Sequence, residues 1–276
     1  LGLWALARVA ERIGAARQQV IELLCVVGLG TAYAGYASAL FSHVSATAFV
    51  LLAINQALAG RESEGPLPAV FAGLFGAWAI ACDYSFVLVS VPLLAITLPV
   101  KRWGFAFAGA LLPAALVATY HARAFGSVFA IGYDFNIGFE FARERSSTFT
   151  GNPLGGLWAL LGAGSWSGWL SRSPILLLGA AFALRKDDEN PWTRRWLLAL
   201  LPWTLLVACH KTPTGGAGED YRYPIALVPF AALGIARMPR SRTWLLVACA
   251  TFAFSVGSWW YWFQERFELS VWPHPM

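Results

Sequence analysis

The chain has 276 residues, 58% of them hydrophobic and 13% charged, with a formal net charge of +5. That balance lies outside the range of soluble globular domains and leaves too little polar surface to cover one large soluble core, which points to an all-α polytopic membrane protein. No Lys/Arg-rich tract of the kind that binds nucleic acid is present.

In chain order, residues 1–10 (LGLWALARVA) open inside a hydrophobic pattern and read as the stub of a helix that begins upstream. No signal peptide is visible at this end. Apolar blocks follow near 18–36, 37–58, 67–82, 84–100, 104–122, 168–184, 195–210, 223–238 and 243–262, which predicts about nine membrane-spanning helices. No polar linker separates domains, so residues 1–276 are expected to form one membrane domain. The pair 67–100 is broken only at Asp83-Tyr84. As a single helix it would run about 50 Å, against a hydrocarbon core of about 30 Å, so a hairpin with Asp83 at its tip is predicted. Cys25, Cys82, Cys209 and Cys249 sit in apolar runs without CxxC or Cys/His spacing. They suggest neither a disulfide frame nor a zinc site and are expected to be small core residues.

The long break at 121–172 stands between two membrane-length blocks. Its first part carries Arg123, Asp134, Glu140, Arg143, Glu144 and Arg145, and about 30 residues is too long for a simple connector. The part from Pro153 to Trp166 is apolar, short and rich in Gly and Trp, which predicts an interfacial or re-entrant segment with Trp158 and Trp166 at headgroup depth.

Lys and Arg alternate between the loops. One set holds Arg8, Arg12, Arg17, Arg61, Lys101, Arg102, Arg185, Lys186, Arg194, Arg195, Arg237, Arg240 and Arg242. The other holds fewer: Arg123, Arg143, Arg145, Arg172, Lys211, Arg222 and Arg266. The positive-inside rule makes the first set cytoplasmic. Asp83, the 121–172 segment, the HKTPTGGAGEDYRY loop and the C-terminus are then expected outside a bacterial inner membrane.

The outer set suits a lipid headgroup and a sugar, since Arg forks match phosphate oxygens and carboxylates accept from hydroxyls. Asp83 lies at a helix end close to hydrocarbon, where an ionisable group is functional or simply turns the hairpin. Arg222, in EDYRYP just before a span, would sit at phosphate depth between Tyr221 and Tyr223, or pair with Glu219 or Asp220. His210 and Lys211 would assist it or mark the interface. His43, with Ser42, Ser45 and Thr47 around it, is read as buried in a span, either hydrogen-bonded in the bundle or touching substrate. Glu22 is expected to pair with a neighbouring Arg or Gln. No motif requires a metal or cofactor.

Several stretches in order, GLGTAYAGYASALFSHVSA, AGLFGAWAIACDYSFVLVSVPLLAI, AFGSVFAIGYDF, GWLSRSPILLLGAAFAL and EDYRYPIALVPFAAL, resemble the GT-C superfamily of polytopic glycosyltransferases. Its members include the protein mannosyltransferases and lipid A aminoarabinose transferases. The resemblance, across roughly residues 28–238, implies transfer of a sugar from a polyprenyl-phosphate donor on the outer face, with membrane lipid as partner. Asp83-Tyr84 matches the charged residue and aromatic that end the family's hairpin helix. Arg222 matches the Arg before its Pro-containing late span, where the family more often has Gly-Pro-Arg. The family's usual catalytic carboxylate lies in a first outer loop that is not in this sequence; an upstream carboxylate there is the preferred base, and Asp83 is the candidate within this chain. Lys211 and Arg172 join Arg222 as donor-phosphate candidates. His43, His121, Tyr84, Asp134 and Tyr221 are the substrate-binding candidates. A transporter or lipid flippase, and a non-catalytic scaffold of the same fold, are the rival expectations.

Overall fold

Apolar helices packed side by side make up the whole of the described chain. The structure, a computed structural model, describes residues 1–38, 42–130, 148–162, 168–186, 190–215 and 222–271, with side chains as far as Trp262. No strand occurs among them. Three helices are long and apolar enough to cross a membrane: Ser42–Glu62, Val100–Phe125 and Arg242–Trp262. Shorter apolar helices occupy Leu67–Cys82, Tyr84–Thr97, Pro174–Leu184 and Tyr223–Arg237.

The N-terminal half comprises α1 (Gly2–Arg12), α2 (Arg17–Leu29), α3 (Ala32–Ser38), α4 (Ser42–Glu62), α5 (Leu67–Cys82), α6 (Val87–Thr97) and α7 (Trp103–Phe125). Of the three long helices α4 is the central one, with 78% of its apolar window buried against 11% for the other two. It packs against α1, α5 and α6. Pro66 and Pro68 flank Leu67 at the start of α5, where a missing N–H costs nothing. Helix α7 stops at Gly126, whose φ of +76° closes the last turn in the left-handed conformation. Between α5 and α7 the backbones meet at glycines: a Cβ on Gly73 would overlap the Ala106 carbonyl, and one on Gly109 the Val70 carbonyl. Small residues at a helix crossing permit this close approach, which dispersion then stabilises.

The second half comprises α8 (Pro153–Leu161), α9 (Trp169–Arg172), α10 (Pro174–Leu184), α11 (Trp192–Ala199), α12 (Leu201–Ala208), α13 (Val228–Ala232, within the helical run Tyr223–Arg237) and α14 (Arg242–Val271). Buried polar bonds tie the halves together. Trp196 Nε1 donates to Thr97 Oγ1 at 2.8 Å. Trp259 Nε1 donates to Ser173 Oγ at 2.6 Å, and that hydroxyl donates to the Gly30 carbonyl at 2.9 Å.

Several expectations are corrected by this arrangement. The block expected at 18–36 is two helices, broken at Gly30-Thr31, and that at 195–210 is broken near Leu200, with Pro202 opening the second piece. The block expected at 37–58 holds the helix Ser42–Glu62, a candidate span in which His43 is buried as expected, while residues 39–41 lie outside the described residues. Cys25 and Cys249 are exposed, not core. A helix face turned towards lipid is as apolar as one turned towards the bundle, so hydrophobicity alone cannot place them. The hairpin is found as expected, with Asp83 between α5 and α6. Glu22 accepts from Arg240 at 2.7 Å and from Gln18 at 3.2 Å. Helix α8 is about 13 Å long at 1.5 Å per residue, too short to cross a bilayer. It carries Trp158 exposed at one end of the bundle, whereas Trp166 lies outside the described residues.

Helix ends sort into two poles. At one, Arg12 donates to Asn55 and Glu62 at 2.8 and 2.5 Å. Arg102 there donates to the carbonyls of Ser63, Glu64 and Gly65. Arg61 stacks on Trp192 with its guanidinium 5.1 Å from the ring centroid, and Arg237 donates to Thr193 Oγ1 at 2.5 Å. These residues belong to the basic set separated by the loop count. The other pole holds Asp83, His121, His210 and Arg222.

Candidate functional site

Asp83 ends α5 because its backbone turns extended (φ −155°, ψ 115°), and its side chain then caps the turn at Tyr84–Phe86. Oδ1 accepts from the Ser85 N–H at 2.9 Å and from Ser85 Oγ at 2.5 Å. This leaves Oδ2 facing His43 Nε2 at 3.2 Å, with the two side chains 19% and 10% exposed. His43 is the second residue of α4, and its Nδ1 lies 3.3 Å from Ser42 Oγ. The carboxylate beside Nε2 favours the tautomer protonated there, which leaves Nδ1 to accept from Ser42 Oγ, but the Nε2–H is not aligned on Oδ2 as a hydrogen bond.

Aromatic rings extend this pair into a cluster. The His43 ring meets Phe86 edge-on at 6.3 Å and Tyr223 at 5.4 Å. Tyr223 in turn lies 5.4 Å from the Arg222 guanidinium carbon and 5.0 Å from the His210 ring. Thus residues 42–43, 83–86, His210 and 222–223, remote in sequence, meet around His43 and Tyr223. The backbone holds Arg222 in place, since its N–H donates to the Thr214 carbonyl at 2.9 Å. Its stem lies over Gly215, whose φ of +96° and lack of a Cβ allow the approach; a Cβ there would stand 2.6 Å from Arg222 Cγ. Burial holds the His210 imidazole below its usual pKa. Its Thr212 backbone contact opposes that shift, and the Arg222 charge adds to it.

Tyr84 and His121 form a second pair beside the first. The Tyr84 hydroxyl lies 2.7 Å from His121 Nε2, and His121 Nδ1 lies 3.3 Å from the Val128 carbonyl. Donation from Nδ1–H to Val128 makes Nε2 the acceptor of the Tyr84 hydroxyl proton. His121 is buried, whereas Tyr84 is 38% exposed. This pair fastens the hairpin tip to the end of α7.

The remaining predicted residues are placed apart or not described. Lys211 is exposed, its N–H bound to the Thr148 carbonyl at 3.0 Å. Arg172 faces α14, with Nη1 3.3 Å from the Ser258 carbonyl. Asp134 and Tyr221 lie outside the described residues, as do Glu219 and Asp220. Two site residues were not singled out from the sequence, Ser85 and Phe86, and Ser42 was named only as a polar neighbour of His43. An Asp followed two positions later by Ser, just after a helix, is a capping signal that would have found Ser85. Phe86 carries no such signal.

Among the described residues, no group of three or more His, Cys, Asp or Glu side chains could hold a metal ion. The arrangement combines an imidazole oriented by a carboxylate, able to take a proton, with a guanidinium one ring away, able to stabilise an anion. No protein-family model, curated protein or solved structure matches the chain.

Proposed function

We propose that this is a multi-pass inner-membrane glycosyltransferase of GT-C type, with about nine spans and its C-terminus outside, acting on a polyprenyl-phosphate sugar at the pole that holds Asp83. The observation that carries the reading is the meeting of His43, Asp83 and Arg222 around Tyr223. In the proposed step the acceptor hydroxyl attacks the anomeric carbon and its proton passes to His43 Nδ1. The bond to the donor phosphate breaks with its electron pair going to the phosphate oxygen, and Arg222 stabilises that charge. Asp83 faces the imidazole with Oδ2 at 3.2 Å and is a positioning residue, since Oδ1 is already committed to Ser85. Ser42 Oγ marks where an acceptor hydroxyl would meet Nδ1.

The test uses the full-length protein in vesicles with a radiolabelled polyprenyl-phosphate sugar. Transfer is expected in the parent and not in His43→Gln, which keeps donor binding. Binding without transfer in the parent would favour a scaffold of the same fold. Neither binding nor transfer would reject the proposal.

A further inference from the structure

Helix α6 packs against α11 and α12 and runs in the opposite sense to them between the two poles. At the basic end the Thr97 carbonyl accepts from Arg61, whose guanidinium also covers the Trp192 ring. At the other end the same elements lead to Asp83 and His210. A buried hydrogen bond joins them near the basic end, from Trp196 Nε1 to Thr97 Oγ1 at 2.8 Å. Thr97 Oγ1 in turn donates to the Leu93 carbonyl at 2.6 Å, so both side chains are satisfied. Two turns from that bond, in opposite senses along the two chains, stand Ser90 and Trp203. The pairing of a hydroxyl with an indole thus recurs by register. Phe86, one turn before Ser90, has its ring 5.9 Å from that of Trp203, which places the indole at this level.

At this level the direct bond is not made. Ser90 and Trp203 are 2% and 3% exposed, and among the described residues neither Ser90 Oγ nor Trp203 Nε1 has a hydrogen-bond partner. Hydroxyls elsewhere in the bundle bond back to the carbonyl one turn before them, as those of Thr47, Thr97, Thr204 and Ser255 do. Ser90 does not use the Phe86 carbonyl in this way. Two such groups left without partners in an apolar bundle are costly. A single water satisfies both. It accepts from the indole N–H, which is a donor only, and donates to the Ser90 oxygen and to the second lone pair of the Phe86 carbonyl. That gives it about three partners, the usual number for a buried water.

We propose that Ser90, Trp203 and the Phe86 carbonyl hold one ordered water inside the bundle, between α6 and α12. With both side chains almost closed to the surface, the occupant is water and not a substrate hydroxyl. The fully buried Phe86 ring touches Trp203 at this level and His43 at the proposed transferase site. The water site nevertheless rests on the register of α6 against α11 and α12 and does not depend on that activity.

The test combines thermal unfolding of the whole chain in one detergent with a crystal structure that resolves ordered water. Ser90→Ala should lower the midpoint by about 2–4 °C in the parent, because the water and the Trp203 N–H lose part of their network. In a Trp203→Phe background the same change should cost less than about 1 °C, since the network is already broken there. Comparing the two backgrounds removes the effect of the smaller ring. Density for one water within about 2.7–3.2 Å of both Ser90 Oγ and Trp203 Nε1 is expected in the parent. A parent midpoint unchanged or raised by Ser90→Ala would overturn the proposal, because removing a hydroxyl that has no partner is neutral or stabilising. An equal shift in both backgrounds would overturn it as well, since Ser90 and Trp203 would then share nothing. So would a direct bond from Trp203 Nε1 to Ser90 Oγ, or a Ser90 hydroxyl bonded back to the Phe86 carbonyl with no water beside it.

Discussion

The contact between His43 and Asp83 has a size that a double-mutant cycle can read. Two unit charges 3.2 Å apart would attract by about 5 kcal/mol at an effective dielectric of about 20, before the cost of removing them from water. An aligned imidazole N–H donating to a carboxylate would be worth about 1.5–3 kcal/mol, and the unaligned contact here is worth less. Cycles across polar pairs within membrane bundles give about 0.6 kcal/mol on average, with a maximum near 1.7. Both groups are largely buried, and Asp83 retains its bonds to Ser85 when His43 is removed. A coupling of about 1–1.5 kcal/mol is therefore expected. The cycle compares parent, His43→Ala, Asp83→Ala and the double variant by reversible unfolding in mixed micelles. Asp83→Ala should cost more alone, because it also removes the cap at Ser85, worth about 1 kcal/mol. Asp83→Asn, which keeps an accepting oxygen for the cap, separates the two contributions. A coupling below about 0.3 kcal/mol would refute the pairing, and with it the assignment of Asp83 as the residue that orients His43.

Arg222→Ala should weaken binding of polyprenyl phosphate by about 10- to 100-fold and Arg222→Lys by several-fold, because a charge-assisted bidentate contact is lost or reduced to a point charge; unchanged binding in a filter or fluorescence assay would remove Arg222 from the site. Tyr84→Phe should lower stability by about 1–3 kcal/mol, since it leaves buried His121 Nε2 without its 2.7 Å partner; a loss below about 0.5 kcal/mol in thermal unfolding would mean that the bond is replaced. In a background without the native cysteines, Phe149→Cys should be labelled by an impermeant thiol reagent from outside intact cells and Arg185→Cys should not. The reverse pattern would invert the sidedness of both poles.

The sequence makes the hairpin legible because a carboxylate between two apolar blocks can only lie at a turn, and Asp83 does. It also sorts the basic residues, since Arg12, Arg61, Arg102, Arg237 and Arg240 carry a charge whose placement follows one rule. The meeting of His43 with Asp83 could not be read, because it depends on how α4 packs against the hairpin between α5 and α6, which long-range packing sets. Tyr223 as the shared ring depends on the path of Thr212–Gly215 beneath Arg222, which long-range packing sets. Nor does an apolar stretch reveal which of its faces meets protein, as the exposed Cys25 and Cys249 show.

Two glycines put the same limit into a measurable form. Gly234 and Gly257 both stand in late apolar helical stretches and look alike in the sequence. In the structure, a Cβ on Gly234 would overlap the Gly179 carbonyl oxygen and approach the Ala183 nitrogen at 2.5 Å, whereas one on Gly257 would meet nothing within 4 Å. Both obstacles at Gly234 are backbone, so relief requires α10 and the Tyr223–Arg237 run to separate and lose dispersion contact along the crossing. Gly234→Ala should therefore cost about 1–3 kcal/mol, the range for overpacking a close contact. Gly257→Ala should be neutral or stabilising by up to about 1 kcal/mol, through the better helix propensity of alanine. The comparison uses thermal unfolding of the two single variants in one detergent. Equal destabilisation would refute the crossing of α10 with the Tyr223–Arg237 run.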